Sequence, residues 1–177
     1  MRASRNLYLV GLMGAGKTTV GRQLARRLGK RFHDSDQVIE GRTGVRVATI
    51  FEIEGEAGFR ARERRVIAEL TELDNTVLAT GGGAILDAQI RARLASRGFV
   101  IYLCAQPRDV WQRMRNDRSR PLLGTADPLA RLEELFKIRD PLYREVADLI
   151  VDTGRQGLGA LVTQVLAELP AECKLSA

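Results

Sequence analysis

The sequence predicts a three-layer α/β/α fold around a five-stranded, mostly parallel sheet, and three observations carry that prediction. Short apolar runs at 7–10, 31–33, 76–79, 99–103 and 149–151 alternate with longer segments of helical periodicity. Strands joined by crossover helices read this way, because the helices cover both faces of a parallel sheet. A glycine-rich loop lies between the first run and the first helical segment, at a strand's carboxyl end, where open α/β sheets place their ligands. Finally, 177 residues with 45% hydrophobic suffice for one domain with a sizeable core and fall short of two, so 1–177 is read as a single domain.

Leu7–Val10 is the first strand. Val20, Leu24 and Leu28 then recur every fourth residue with Arg22 and Arg26 between them and Gly29 as the stop, which is an amphipathic helix. The second strand, near Arg31–His33, ends at Asp34-Ser35-Asp36, after which 37–70 reads as helical pieces broken by Gly41, Gly44, Gly55 and Gly58. Thr76–Ala79 is the third strand and runs into Gly81-Gly82-Gly83. A helix through Ile85–Leu94 ends near Gly98, Phe99–Leu103 is the fourth strand, and Pro107 opens a helix carrying Trp111 and Met114. Residues 115–126 hold three arginines with little periodicity and read as a mobile lid. A helix from Pro128 to about Arg144, a strand Leu149–Val151 and a helix Leu158–Leu169 follow, before a polar tail at about 170–177.

The net charge of +6 admits nucleic acid, an anionic membrane surface or small anions as partners. Only 5% of residues are aromatic, few for base-stacking platforms, and no long like-charge block is present, so small phosphorylated or carboxylated ligands fit best. Cys104 and Cys173 are far apart and His33 is the only histidine, which leaves neither a disulfide framework nor a Cys/His metal site. The run Leu7–Val10 is too short for a signal-peptide core or a membrane span. The expectation is a cytoplasmic monomer with no nucleic-acid or membrane partner.

Gly11-Leu12-Met13-Gly14-Ala15-Gly16-Lys17-Thr18 matches G-x-x-x-x-G-K-[ST], in which backbone N–H groups and a helix N-terminus cradle phosphates. Gly14, Ala15, Gly16, Lys17, Thr18 and Thr19 are therefore the candidate nucleotide-binding residues, with Lys17 against the β and γ phosphates and the Thr18 hydroxyl on Mg²⁺. No acid follows the strand Thr76–Ala79, where many proteins with this loop keep one. Asp34 and Asp36 are the replacement, since alternate residues of an extended segment project to one side, one serving Mg²⁺ and the other a substrate hydroxyl. The same residues also suit a turn or a helix N-cap. The guanine-switch signatures D-x-x-G and N-K-x-D are absent from the chain. Three consecutive glycines after a buried strand let a ligand approach main-chain N–H groups. What remains is phosphoryl transfer to a small acceptor.

The segments GLMGAGKTTVGRQLA, DSDQVIE, FRARE, LATGGGA, RPLL and RDPLYREVA, in this order over residues 7–155, resemble the shikimate kinase family. The resemblance implies a nucleoside-monophosphate-kinase-like fold, ATP with Mg²⁺, and phosphorylation of the 3-hydroxyl of shikimate on the route to aromatic amino acids. It assigns Lys17, Asp36 and Arg120 to catalysis, and Thr18 and Asp34 to Mg²⁺, Asp34 through water. Asp36, Arg60, Glu63, Gly81, Gly82, Gly83 and Arg139 bind shikimate, with the two arginines gripping its carboxylate and Glu63 supporting Arg60. Arg120 is the lid arginine, Arg113 lies on the adenine face, and Arg155 joins the nucleotide-binding set. Planar carboxylates suit guanidinium forks, and a loose phosphoryl transition state needs positioned positive charge.

One departure concerns the adenine loop, 151–158, which lacks the Asn and Pro often found there and predicts a looser adenine contact. A gluconate-type sugar-acid kinase shares the phosphate loop and the arginine requirement but not the assembled DSD, FR, GGG and RDPLY set. A non-catalytic nucleotide-binding regulatory domain would have no need of the acceptor-site acids. His33, Trp111 and Cys104 read as packing residues.

Overall fold

Leu7–Val10 (β1) is buried at every position and sits at the centre of a five-stranded sheet. The computed structural model describes residues 6–115, 125–154 and 156–174. The other strands are Arg31–Asp34 (β2), Thr76–Ala79 (β3), Phe99–Cys104 (β4) and Leu149–Asp152 (β5), in the order β2-β3-β1-β4-β5. All four pairings are parallel. This order places the carboxyl ends of β2, β3 and β1 side by side, so Asp34, the glycine triplet and the phosphate loop come together although they are distant in sequence.

Lys17–Leu28 (α1) buries Val20, Gly21, Leu24, Ala25 and Leu28, and stops at Gly29 in the left-handed conformation. Gly21 has no room for a side chain: an added Cβ would stand 2.8 Å from Leu9 Cδ1 and 2.6 Å from the Phe32 ring. That close approach seats α1 on β1 and β2 and fixes where the phosphate loop opens.

The region 37–70 forms two helices, Ser35–Thr43 (α2) and Val47–Leu70 (α3). Gly44 closes α2 at φ 73°, and Gly55 interrupts α3 at φ 70°, ψ −178°. Gly41 and Gly58, expected as breaks, lie inside the helices, because glycine permits but does not impose a left-handed turn. The expectation that Asp36 lies on an extended segment is also corrected: the strand ends at Asp34, and Asp36 is in the first turn of α2.

After β3, the segment expected as one helix divides into a 3₁₀ turn, Ala84–Leu86, and Ala88–Arg97 (α4). Asp87 makes the division, since its carboxylate caps α4 by accepting from Gln89 N and Ile90 N. Pro107–Met114 (α5) and Pro128–Val146 (α6) follow, the latter reaching past Arg144. Leu158–Glu168 (α7) is as the spacing predicts, whereas the predicted polar tail begins with a helical turn, Ala171–Lys174, that buries Cys173. The predicted lid, apart from Arg115, Thr125 and Ala126, and with it Arg120, lies outside the described residues, as does Arg155. Among the described residues no helix is long and apolar enough to cross a membrane.

Candidate active site

A cleft of about 680 Å³ opens at the carboxyl ends of β1, β2 and β3. The phosphate loop, Asp34 and Asp36, Arg60 and Glu63 of α3, the glycine triplet and Arg139 of α6 all line it. Lys17 is 8% exposed, and its Nζ donates to Gly11 O and Leu12 O at 2.7 Å each. The ammonium is thus held against the loop by carbonyl dipoles, beside Gly14 and Gly16 at φ 73° and 94°. Those left-handed turns are closed to most side chains, and at Gly14 a Cβ would also clash with Met114 of α5.

Asp34 performs two tasks at once. Its Oδ1 caps α2, accepting from Asp36 N at 3.0 Å and Gln37 N at 3.2 Å, while Oδ2 accepts from Thr18 Oγ1 at 2.6 Å. Among the described residues no group of three or more His, Cys, Asp or Glu side chains could hold a metal ion. Two hard oxygens beside a phosphate loop suit an ion that keeps its waters and takes further oxygens from a nucleotide, which is the behaviour of Mg²⁺.

On the far side of the cleft, Arg60 Nη1 donates to Glu63 Oε2 at 2.6 Å, and Glu63 is fully buried. Arg139 is 4% exposed. Arg60 Nε, Glu63 Oε1 and Arg139 Nε are buried without a hydrogen-bond partner among the described residues. Buried polar groups are rarely left so, and two guanidinium groups on the lining of one cleft match a carboxylate. The glycines permit this convergence. A Cβ on Gly81 would stand 2.6 Å from Glu63 Oε1 and 2.9 Å from Asp36 Oδ1, and one on Gly83 would overlap the Arg60 guanidinium.

Burial pushes the Glu63 carboxyl up from its ordinary 4.5 to about 7, and the Arg60 guanidinium opposes this without cancelling it. Asp36 adds a like charge in the same direction. Between those two values the folded chain keeps a proton that the unfolded chain has released. The stabilisation is therefore full below the unfolded value and is lost as pH rises through the folded one. Glu63→Gln should flatten the decline in Tm between about pH 4.5 and 7 relative to the parent, a difference of roughly 3 kcal/mol across the window. Parallel Tm-versus-pH curves for the two proteins would show that Glu63 does not titrate there.

Arg113, assigned by resemblance to the adenine face, donates from Nη2 to Thr153 O at 2.7 Å. It thereby ties the end of α5 to the loop after β5. In that loop, which lacks the family's Asn and Pro, Gly154 N donates to Asp152 Oδ1 at 2.7 Å, and Gln156 Nε2 to Asp152 O at 2.9 Å.

Two residues lining the cleft and two buried behind it were not singled out by the sequence reading. Phe51 and Phe59 form an aromatic pair on α3 with ring centroids 4.7 Å apart, both lining the cleft. Ser35 Oγ accepts from Gly81 N at 3.0 Å, and Tyr143 OH donates to Gly82 O at 2.5 Å. Ser35 and Tyr143 lay inside quoted motifs, DSDQVIE and RDPLYREVA, but only a fold could reveal their partners.

A phosphate loop feeding α1, a parallel sheet of this order and an acceptor pocket across the same cleft define a P-loop kinase of the nucleoside-kinase-like kind. The shikimate kinase family model matches residues 13–170. A shikimate kinase of Thiobacillus denitrificans is 62% identical over 161 residues, which cover 91% of this chain and 87% of that one. The structure of shikimate kinase from Acinetobacter baumannii in complex with shikimate superposes with a TM-score of 0.88 at 52% identity, covering 91% and 90% of the two chains. A gluconokinase from Sinorhizobium meliloti, at 17% identity, 94% and 92% coverage and TM-score 0.61, shares the fold alone. The chain belongs to the shikimate kinase family.

Proposed function

We infer that the chain transfers the γ-phosphate of ATP to the 3-hydroxyl of shikimate, giving shikimate 3-phosphate and ADP. The observation that carries the reading is the pair of arginines, Arg60 and Arg139, that line the cleft with Lys17, each with a buried Nε that has no hydrogen-bond partner among the described residues. A small carboxylate bound there has its remaining groups directed toward the glycine triplet, Asp36 and the phosphate loop. In this reading Asp36 accepts a hydrogen bond from the attacking hydroxyl and orients it, while Lys17 moves from the loop carbonyls to the β and γ oxygens. The rate then comes mainly from positioning and from fixed positive charge around the transferred group.

Thr18 and Asp34 would hold Mg²⁺, which bridges and neutralises phosphate oxygens when bound. Arg113 would face the adenine; Arg120 and Arg155 complete the nucleotide contacts that the family resemblance assigns. The two cysteines are both free thiols, which suits a reducing cytoplasm, and in this reading the chain acts there as a monomer.

The test is coupled ADP release against shikimate, quinate, gluconate and nucleoside monophosphates, with and without Mg²⁺. ADP should form only with shikimate, Mg²⁺ and ATP together. Turnover of gluconate in place of shikimate would overturn the acceptor while leaving the phosphate-loop argument standing, and nucleotide binding with no turnover of any acceptor would return the chain to a binding module.

A further inference from the structure

We propose that Tyr143 is a positioning residue that fixes the glycine triplet between acceptor and phosphate loop, and so couples the carboxylate grip of Arg139 to the placement of the attacking hydroxyl. The proposal rests on the shikimate reading above.

The triplet is anchored at each residue. Ala84 N donates to Gly81 O and Leu86 N to Gly83 O, each at 3.1 Å, within the turn itself. Gly81 N is taken by Ser35 Oγ at 3.0 Å, which leaves Gly82 O as the carbonyl answered from outside the local chain, by Tyr143 OH at 2.5 Å. A trans peptide is planar with C=O and N–H opposed, so holding Gly82 O toward Tyr143 turns the N–H of Gly83 the other way. The Gly82 backbone also lies on the phosphate loop: an added Cβ would stand 3.1 Å from Met13 N and 3.4 Å from Gly11 O. One phenol therefore sets both the tilt of the peptide facing the acceptor and its spacing from the donor loop.

The Arg139 guanidinium, one turn earlier on α6, lies beside the same phenol and interacts with it electrostatically. Tyr143 is 1% exposed and its ring packs at 4.9 Å from the ring of Tyr102. Burial raises its pKa, so it remains a donor across the working pH range. An arginine pulled toward a bound carboxylate acts on this hydroxyl, and through it on Gly82.

Tyr143→Phe removes the hydroxyl and keeps the ring. The expected result is a fall of roughly tenfold or more in kcat/KM for shikimate, with KM for ATP changed less than about twofold, because transition-state alignment is lost while the nucleotide site is intact. Tyr102→Phe is the structural control, since its hydroxyl donates to Asp140 Oδ1 at 2.8 Å and not to the triplet; it should change Tm without that split. Ser35→Ala, which frees the other end of the triplet, should reproduce the split and serves if Tyr143→Phe does not fold. A parent that turns over shikimate together with variants that match it, or that lose ATP and shikimate parameters alike, would overturn the positioning role. A parent inactive on shikimate would instead overturn the functional reading.

Discussion

Lys17→Met is expected to lower kcat by about 10²–10³-fold, the range seen when a fixed donor to a developing charge is removed. Methionine keeps most of the aliphatic stem, so the change isolates the ammonium. Before any phosphate arrives that ammonium donates to two loop carbonyls at 2.7 Å, so the fold keeps it beside the phosphate loop, from which it turns to the phosphate oxygens. Steady-state rates with shikimate and ATP saturating check the expectation. A variant within tenfold of the parent rate would remove Lys17 from the transfer step.

The features that the sequence announced are local ones. The phosphate loop is a contiguous string whose glycines at φ 73° and 94° are demanded by its own geometry, so a pattern of residue types is enough to find it. Asp34 was harder, because Asp-Ser-Asp after a strand satisfies both an extended acidic edge and a helix cap. The structure uses Asp34 in both capacities and moves Asp36 into the helix. Arg60 and Arg139 have no local mark at all. Each is one arginine among many on a helix, and only convergence across the cleft separates them from solvated ones, which is why family resemblance and not periodicity pointed to them. Ser35 and Tyr143 were missed for the same reason in stronger form, since their partners are 46 and 61 residues away. Gly44 and Gly55 take the left-handed conformation and break helices while Gly41 and Gly58 do not, a difference that residue type alone does not announce.

Asp34→Asn and Asp36→Asn are expected to give different losses, and the structure sharpens why. Asparagine caps a helix about as well as aspartate, so Asp34→Asn should preserve the bonds from Asp36 N and Gln37 N and leave α2 in place. What it removes is the negative charge 2.6 Å from the Thr18 hydroxyl, and a neutral amide attracts a hydrated dication far less. The Mg²⁺ concentration for half-maximal rate should rise by about tenfold, with KM for shikimate within about twofold of the parent. Asp36 lies in the first turn of α2, close to Glu63 and Gly81, where its carboxylate meets the acceptor side of the cleft. Asp36→Asn should therefore reduce kcat by about 10²–10³ and weaken shikimate, at an unchanged Mg²⁺ requirement, since the attacking hydroxyl loses its acceptor. It should also lower the pKa of Glu63, whose carboxyl is raised in part by that neighbouring charge. Paired Mg²⁺ and shikimate titrations of the two variants decide the matter. Superimposable profiles in both titrations would mean that the acids act as one coupled site, and the separation of metal and acceptor duties between Asp34 and Asp36 would have to be given up.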